Sequence, residues 1–254
     1  MIFHIHSGEF LHFYNGECGP LAKFWVRLTL RKAAQVVVLS DSWLREIRTI
    51  VPTATIKVIG NPVSVATEFP SRTAHTGRVL FLGRLREKKG VFDLIRAIPI
   101  VRRTMPTSVF VLAGDGDVEA VRKFAQSHAV SDAIEIPGWI DGEQKESAIR
   151  AAELLVLPSY FEGLPVCVLE AMANGAVVVA TRVGGIPDVI TSGVTGMLLE
   201  PGDIRGLADV IVRLLTDDGL SIRLRLAAYE DVKQKFCARA VIDKLHRCYA
   251  ENSR

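Results

Sequence analysis

Two carboxylates eight positions apart, Glu162 and Glu170, are the residues of this chain whose spacing most clearly suggests chemistry. They flank a Gly-Leu-Pro turn and an apolar run that is expected to begin a helix. The free N–H groups of a helix start bind phosphate, Gly163 lets the backbone approach a ligand closely, and Pro165 suits the first helical turn. Acid groups beside phosphate would repel it, so we expect them to bond hydroxyl groups of a ligand that also carries phosphate. A sugar nucleotide has both kinds of group.

Six short apolar segments from residue 79 onward predict the elements that position these acids. Their starts lie roughly 20 to 30 residues apart, and segments of helical periodicity fill the gaps between them. Near-continuous apolar strands that alternate with helices indicate a parallel sheet covered on both faces, in a doubly wound, Rossmann-like α/β domain. Ligands of such sheets bind beyond the carboxyl ends of the strands. The predicted strands are residues 79–83, 109–114, 134–138, 154–158, 177–181 and 197–200.

The part of the chain before residue 70 contains fewer elements of this kind. We expect a strand end at residues 3–6, two further strands and two helices there, which are too few for a free-standing domain. The chain is therefore expected to begin partway through a domain. The predicted division is a partial N-terminal domain over 1–69, a polar linker over 70–77, a main domain over 78–236, and a C-terminal helix over 237–254 that packs back toward the first domain.

Composition and simple motifs exclude several classes of protein. The 31 basic and 28 acidic residues among 254 give a net charge of +3, too balanced to indicate a nucleic-acid partner. No run of 18 apolar residues predicts a membrane span, and residues 1–6 do not resemble a signal peptide. The four scattered cysteines indicate reduced thiols in a cytosolic protein. The glycines at Gly114 and Gly116 lack the third glycine of a dinucleotide fingerprint, and residues 83–90 do not form a Walker A loop.

Six short motifs occur in a characteristic order along the chain. They are FLGRLREKKG at 81–90, AGDG at 113–116, PSYFEGLP at 158–165, EAMANG at 170–175, GGIPD at 184–188 and GMLLEPGD at 196–203. In this order they resemble the donor half of the GT-B-fold retaining glycosyltransferases of family 4, the group-1 glycosyltransferases. The segment around Ala33 to Ser40 resembles the end of that family's acceptor-side domain. The resemblance implies a GT-B fold.

The resemblance also implies roles for individual residues. Arg84 and Lys89 match the basic pair that holds the donor diphosphate, and a guanidinium fork beside an ammonium group suits the charge of that leaving group. Glu162 matches the acid near the donor sugar, and Glu170 the acid that bonds the ribose hydroxyls. A metal ligand is not implied. The other implied donor-binding residues are Gly83, Gly163, Leu164 and Val166 near the phosphates and ribose, and Gly138 and Trp139 near the nucleobase.

The activity that the resemblance implies is transfer of a sugar from a UDP- or GDP-sugar to a glycan or lipid-linked acceptor, with retention of anomeric configuration. Neither an essential metal nor another cofactor is expected, and neither glutamate acts as the acid of a hydrolase. The expected location is cytoplasmic, with peripheral contact at the inner membrane face as a further hypothesis. The alternative is a nucleotide-sugar-binding remnant with little or no activity, or one half of a two-chain enzyme.

Two features in the N-terminal part of the chain each allow more than one interpretation. His6 follows a predicted strand where the family often places a histidine that faces the sugar, which makes it a candidate catalytic residue. It could equally be a structural histidine, and together with His4 it resembles, less well, a two-histidine metal site. The segment 23–32 mixes aromatic residues with four cations. It suits either a membrane surface or, as we favour, a domain helix whose cations extend into solvent.

Overall fold

Two parallel sheets organise the computed structural model, which describes residues 1–6, 10–70 and 77–252. The first sheet has the order β1 (Ile2–His4), β2 (Gln35–Val38), β3 (Ile56–Val58). The second has six strands in the order β6-β5-β4-β7-β8-β9. These strands are β4 (Arg78–Leu82), β5 (Val109–Ala113), β6 (Ile134–Gly138), β7 (Leu154–Leu157), β8 (Val177–Thr181) and β9 (Met197–Leu199).

Helices connect most of these strands. A short π-helical segment, Phe13–Glu17, follows the first helical turn, and 3-10 turns precede α4 and follow β8. The α-helices are α1 (Phe10–His12), α2 (Pro20–Lys32), α3 (Asp41–Ile50), α4 (Val91–Thr104), α5 (Val118–Ser127), α6 (Gly142–Ala151), α7 (Val166–Ala173), α8 (Ile204–Thr216), α9 (Asp218–Lys235) and α10 (Ala238–Glu251). None of the helices in the described ranges is both long enough and apolar enough to cross a membrane.

The six-stranded sheet forms from the near-continuous apolar segments that the sequence indicates. Every residue of β7 and β8 is buried, and β4 and β5 bury all but their first residue. Helix α4 packs against α5 and α8, whereas α7 packs against α6 and α9. Burial on both faces explains why these strands lack the polar alternation of a half-exposed sheet. The predicted α/β fold class with Rossmann-like parallel sheets is confirmed.

The winding of this sheet reverses between β4 and β7. From β4 the chain proceeds outward to β5 and β6, returns to pair β7 with the other side of β4, and then continues to β8 and β9. The loops that follow β4 and β7 therefore leave the sheet side by side. Such a reversal opens a crevice beyond the carboxyl ends of the two central strands, where ligands of open α/β sheets bind.

Helix α10 and helix α3 connect the first sheet to the rest of the chain. Val241 and Cys248 of α10 pack against Val37 of β2 and Ile59, the residue after β3. The N–H of Ser42, in the first turn of α3, donates to the carboxylate of Asp188 at 2.8 Å, so a residue that follows β8 satisfies a free N–H of this helix. The domain boundaries themselves stay a prediction, and most of the predicted linker over 70–77, together with residues 253–254, lies outside the described residues.

Candidate functional site

A buried ion pair lies where the winding of the six-stranded sheet reverses. Lys89, in the loop after β4, places its ammonium nitrogen 2.7 Å from Oε1 of Glu162, in the loop after β7. The carboxylate side chain is only 6% exposed and the lysine side chain 30% exposed. The hydroxyl of Ser159 donates to the same Oε1 at 2.7 Å. The ammonium group thus compensates the charge of this carboxylate, and both donors orient it, which offsets the cost of its burial.

Hydrogen bonds on three sides fix the loop that carries Glu162. The Tyr160 N–H donates to the carbonyl of Lys88 at 2.9 Å, which joins this loop to the loop after β4. The Tyr160 hydroxyl donates to Asp93 of α4 at 2.7 Å, and this bond is the main cause that raises the pKa of Tyr160. The hydroxyl of Thr181, at the end of β8, donates to the carbonyl of Ser159. The loop is therefore held to its neighbours by bonds within the chain itself.

Two glycines allow these loops to approach one another. Gly90, the residue just before α4, has φ +71°, and a Cβ there would lie 1.9 Å from the carbonyl oxygen of Pro158. Gly184, with φ +54°, would place a Cβ 1.9 Å from the carbonyl oxygen of Glu162. Only glycine combines a left-handed backbone with this lack of a side chain. The spacing of the loops around the ion pair therefore depends on both positions.

Glu170 has a similar arrangement about one turn into α7. Its Oε1 lies 2.6 Å from the ammonium nitrogen of Lys145 on α6, and both side chains are partly exposed. The described bonds of both glutamates use Oε1, whether from Lys89 and Ser159 or from Lys145. Each acid is therefore oriented through one oxygen, and the other oxygen is suited to accept a hydrogen bond from a hydroxyl group.

Helix α7 begins between the two acids without a side-chain cap. The N-cap residue is Pro165, whose side chain cannot form a hydrogen bond with the free N–H groups of the first turn. These N–H groups therefore need backbone or ligand partners. Cys167 lies in this turn. Burial, with the negative charges of Glu162 and Glu170 as further causes, raises the pKa of its thiol to about 12. This thiol is neutral at physiological pH and is not suited to act as a nucleophile.

The remaining basic candidate, Arg84, takes a different direction from Lys89. It follows Gly83 at the end of β4, its side chain is 62% exposed, and its Nε lies 3.8 Å from Asp115 in the loop after β5. The structure thus brings Lys89 and Glu162 into contact but pairs Arg84 with Asp115. Its predicted part in diphosphate binding stays a prediction. Gly83 lies at the base of the loop, where its N–H donates to the carbonyl of Ala113 at 3.0 Å.

The other predicted donor-binding residues lie at the same carboxyl edge of the sheet. Gly163 accepts the N–H of Gly185 at 2.7 Å, Leu164 is buried, and Val166 is an exposed first residue of α7. Gly138 ends the edge strand β6, and Trp139 after it is 64% exposed. An exposed indole suits stacking on a flat ring.

His6 lies just beyond the carboxyl end of β1 in the first sheet. Its exposed ring stacks on that of His4, with 5.7 Å between the centroids, and His4 also bonds the Tyr249 hydroxyl at 3.1 Å. Burial, followed by the neighbouring charge of His6, lowers the pKa of His4. No group of three or more metal-ligating side chains occurs in the part of the chain that the structure describes. Metal-independent action stays a prediction.

Sequence reasoning did not single out several residues that complete this site. Ser159 lies inside a recognised motif, three residues before Glu162, and that spacing was the available signal. Tyr160 and Asp93 become partners only through the fold, and Lys145 lies in a polar helix with no motif around it. The Tyr160–Asp93 and Lys145–Glu170 contacts join residues that are distant in the sequence.

Comparisons with known proteins agree with this arrangement. A profile of the family described as Glycosyl transferases group 1 matches residues 76–217, more than half of the chain. The glycogen synthase of Mycobacterium tuberculosis (strain CDC 1551 / Oshkosh) is 33% identical over 187 residues, which cover 72% of this chain and 45% of that protein. The alpha-D-kanosaminyltransferase of Streptomyces kanamyceticus is 29% identical over 271 residues, which cover 99% of this chain and 70% of that protein.

Solved structures show the same fold. The sucrose-phosphate synthase of Thermosynechococcus elongatus superposes with a TM-score of 0.85 at 24% identity, over 98% of this chain and 67% of that one. The Anabaena protein HepE, crystallised with UDP and glucose, superposes with a TM-score of 0.82 at 19% identity, over 98% of this chain and 71% of that one.

A parallel sheet with charged loops at its switch point, matched by these structures, defines a GT-B-type fold. The chain belongs to the group 1 glycosyltransferases. It spans less than half the length of the mycobacterial relative, of which the alignment covers 45%.

Proposed function

We propose that this chain provides the donor-binding part of a retaining glycosyltransferase of family 4. The donor is a UDP- or GDP-sugar, and the acceptor is a glycan or a lipid-linked glycan. The protein HepE, a structural neighbour, was crystallised with UDP and glucose, which supports a nucleotide-sugar donor.

The observation that carries this proposal is the Lys89–Glu162 pair. An ammonium group and a carboxylate, 2.7 Å apart and largely withdrawn from water, lie beyond the carboxyl ends of β4 and β7. A ligand that contains both anionic oxygens and hydroxyl groups fits this pair, because the cation can bind the former and the acid the latter. A nucleoside-diphosphate sugar meets both requirements.

In the proposed reaction, Lys89 and Arg84 stabilise the charge that develops on the diphosphate as its bond to the sugar breaks. Glu162 holds a sugar hydroxyl through the oxygen that Lys89 and Ser159 leave uncommitted. Glu170 holds the ribose in the same way, and the N–H groups at the start of α7 add donors near the phosphates.

Retention follows in this proposal when the acceptor hydroxyl attacks from the face that the diphosphate leaves. A phosphate oxygen then takes the proton of that hydroxyl, and neither glutamate serves as a hydrolytic acid. His6 is proposed to face the sugar from the first sheet. Polysaccharide or lipid-linked glycan synthesis at the cytoplasmic side of a membrane is the corresponding setting.

Calorimetry with UDP and GDP tests the donor site directly. We expect the wild-type chain to bind one of the two, and Lys89→Ala or Glu170→Ala to weaken binding about 10- to 100-fold, since each removes a charge-assisted hydrogen bond. Lys123→Ala, which removes an exposed lysine of α5 outside the site, is the matched control and should bind like wild type. A folded wild-type chain that binds neither nucleotide would refute the proposal.

A second assay separates transfer from binding alone. Release of nucleoside diphosphate from a panel of donors, with and without acceptors, should exceed that of the Lys89→Ala variant. Product analysis should show the donor's anomeric configuration. Nucleotide binding without any release would favour the alternative, a nucleotide-sugar-binding chain that is inactive by itself or requires a partner chain.

A further inference from the structure

Helix α2 carries apolar side chains on two opposite sides, which one packed interface does not explain. Val26 and Leu30, four residues apart, pack into the main hydrophobic core. Leu21, Phe24 and Trp25 have helical spacing on the other side and are 72%, 57% and 57% exposed. A domain helix requires only the first of these two faces. The second face is a contiguous exposed apolar surface, and such surfaces mark interaction sites more often than chance.

The charges around this second face all have the same sign. The sequence of α2 contains Lys23, Arg27, Arg31 and Lys32 but neither aspartate nor glutamate. Arg27 donates to the Tyr14 hydroxyl at 2.7 Å, while Arg31 and Lys32 form no ion pair with any acid that the structure describes. Long cationic side chains beside exposed aromatic rings are the composition of helices that lie in the headgroup region of a membrane.

A groove deepens this surface on the side of α3. It has a volume of about 400 Å³ and is lined by Phe24, Arg27, Leu28 and Arg31 of α2 together with residues 50–53. Its lining thus includes both apolar side chains and two arginines. Anionic headgroups would pair with the guanidinium groups, and the first carbons of acyl chains would contact the apolar side chains.

The topology places the aromatic end of α2 close to the expected acceptor side. Only residues 33–34 separate α2 from β2, so the helix returns antiparallel to that strand. Its first turns, with Leu21 and Phe24, therefore lie toward the carboxyl ends of the strands, which is also where His6 follows β1.

We propose that Leu21, Phe24, Trp25, Arg27, Arg31 and Lys32, together termed the α2 face, bind an anionic lipid surface. The positive charge of a helix that contains no acid favours this occupant over a second copy of the chain, whose α2 face would bring like charges together. The proposal specifies the peripheral location suggested above, but it does not rest on glycosyl transfer, because lipid binding requires no donor.

Sedimentation with lipid vesicles tests the α2 face. We expect the wild-type chain to bind vesicles that contain about one third phosphatidylglycerol and to bind phosphatidylcholine vesicles much less. Arg31→Gln with Lys32→Gln should weaken binding about 30-fold, because each cation near a charged surface contributes about a factor of five. Phe24→Ala with Trp25→Ala should weaken it about tenfold or more. Added salt should weaken wild-type binding as well.

Matched pairs elsewhere on the surface serve as controls. Arg122→Gln with Lys123→Gln removes two adjacent exposed cations of α5. Ile222→Ala with Leu226→Ala removes exposed apolar side chains of α9, which are 49% and 43% exposed. Both control variants should bind vesicles like wild type. Lipids brominated on the acyl chain should quench wild-type tryptophan fluorescence much more than that of Trp25→Phe.

Three results would overturn the proposal. The first is equal binding to anionic and neutral vesicles, and the second is unchanged binding by both α2 variants. The third is a concentration-dependent dimer that Phe24→Ala with Trp25→Ala dissociates, which would assign the face to self-association. UDP and GDP binding measured on the same samples keeps the two proposals separate. Vesicle binding without nucleotide binding would refute only the proposed donor site, and the converse only the α2 face.

Discussion

Replacing Lys89 by methionine tests whether the pair at the sheet reversal is an ion pair withdrawn from water. The substitution keeps a long apolar stem but removes the charge 2.7 Å from Glu162 Oε1. Ser159 then remains as the described donor to that oxygen. A carboxyl group that is 6% exposed would then have lost the partner that compensates its charge. We therefore expect Lys89→Met to destabilise the folded chain.

The magnitude follows from the burial of each partner. Removing one side of a fully buried ion pair costs about 3–5 kcal/mol, because the other charge is left without compensation. The Lys89 side chain is 30% exposed, so water can replace part of its effect, and we expect a loss of about 2–3 kcal/mol. Glu162→Gln should cost only about 1 kcal/mol, because its amide oxygen can still accept from Ser159 and the remaining ammonium can be hydrated.

Urea unfolding at pH 7 without nucleotide, followed by circular dichroism, measures these differences. The double variant, with both Lys89→Met and Glu162→Gln, should recover about 1 kcal/mol relative to Lys89→Met alone, since no uncompensated charge remains. Arg182→Met is the control, because it removes a pair with Glu200 in which the two side chains are 49% and 73% exposed. Such exposed pairs contribute about 1 kcal/mol or less.

The order of the variants decides the outcome. The reasoning is refuted if Lys89→Met is no less stable than Glu162→Gln, or if the double variant is no more stable than Lys89→Met. Either result would mean that the carboxylate is as well hydrated as the lysine. The site would then lack the low-dielectric environment on which its proposed electrostatic role depends.

Three further outcomes are expected. Lys145→Met should weaken UDP or GDP binding about two- to fivefold and reduce the preference for ribose over 2′-deoxyribose, because it removes the partner that orients the Glu170 carboxylate. Lys145→Arg should retain both the affinity and the preference. Calorimetry that finds no change in Lys145→Met would show that Lys145 is not part of the site. At pH 8, iodoacetamide should label Cys167 about a thousandfold more slowly than a thiol with the ordinary pKa of 9, because a pKa of about 12 lowers the thiolate fraction to that extent. Rapid labelling of Cys167 in mass spectrometry would contradict this. Gly184→Ala should lower the unfolding free energy by more than about 2 kcal/mol. The loss should clearly exceed that of Gly193→Ala, because Gly193 also has a left-handed backbone but no atom lies within 4 Å of the methyl group that alanine would add there. Equal losses in urea unfolding would contradict this prediction.

Most of the fold was predictable because its strands are buried on both faces. Segments such as 154–158 and 177–181 read as unbroken apolar runs, and the structure contains a strand within each. The predicted ends were late by a residue at Gly83 and at Pro158, where the ladder stops before the turn residue. Helix α9 gave no clear signal, because its polar and apolar residues are not separated into two faces that a helical pattern reveals.

The site was predictable residue by residue but not as a set of contacts. Motifs indicated Lys89, Glu162 and Glu170 separately, yet the direct contact of the first two joins loops 73 residues apart. That contact depends on the strand order at the sheet reversal, which the pattern of apolar segments does not specify. The Lys145 contact to Glu170 depends on how α6 packs beside α7. A lysine in a polar helix carries no sign of such a partner.

The geometry of the Lys89–Glu162 pair also explains how it can serve a ligand without first breaking. An ammonium group has three donors, and Lys89 uses one of them on Glu162 Oε1, so others remain for phosphate oxygens. Glu162 receives both of its described bonds on Oε1, and its Oε2 is suited to accept from a sugar hydroxyl. The protein has therefore already met the cost of ordering these two side chains. Binding energy from the donor can then be used at the bond that breaks rather than to assemble the site.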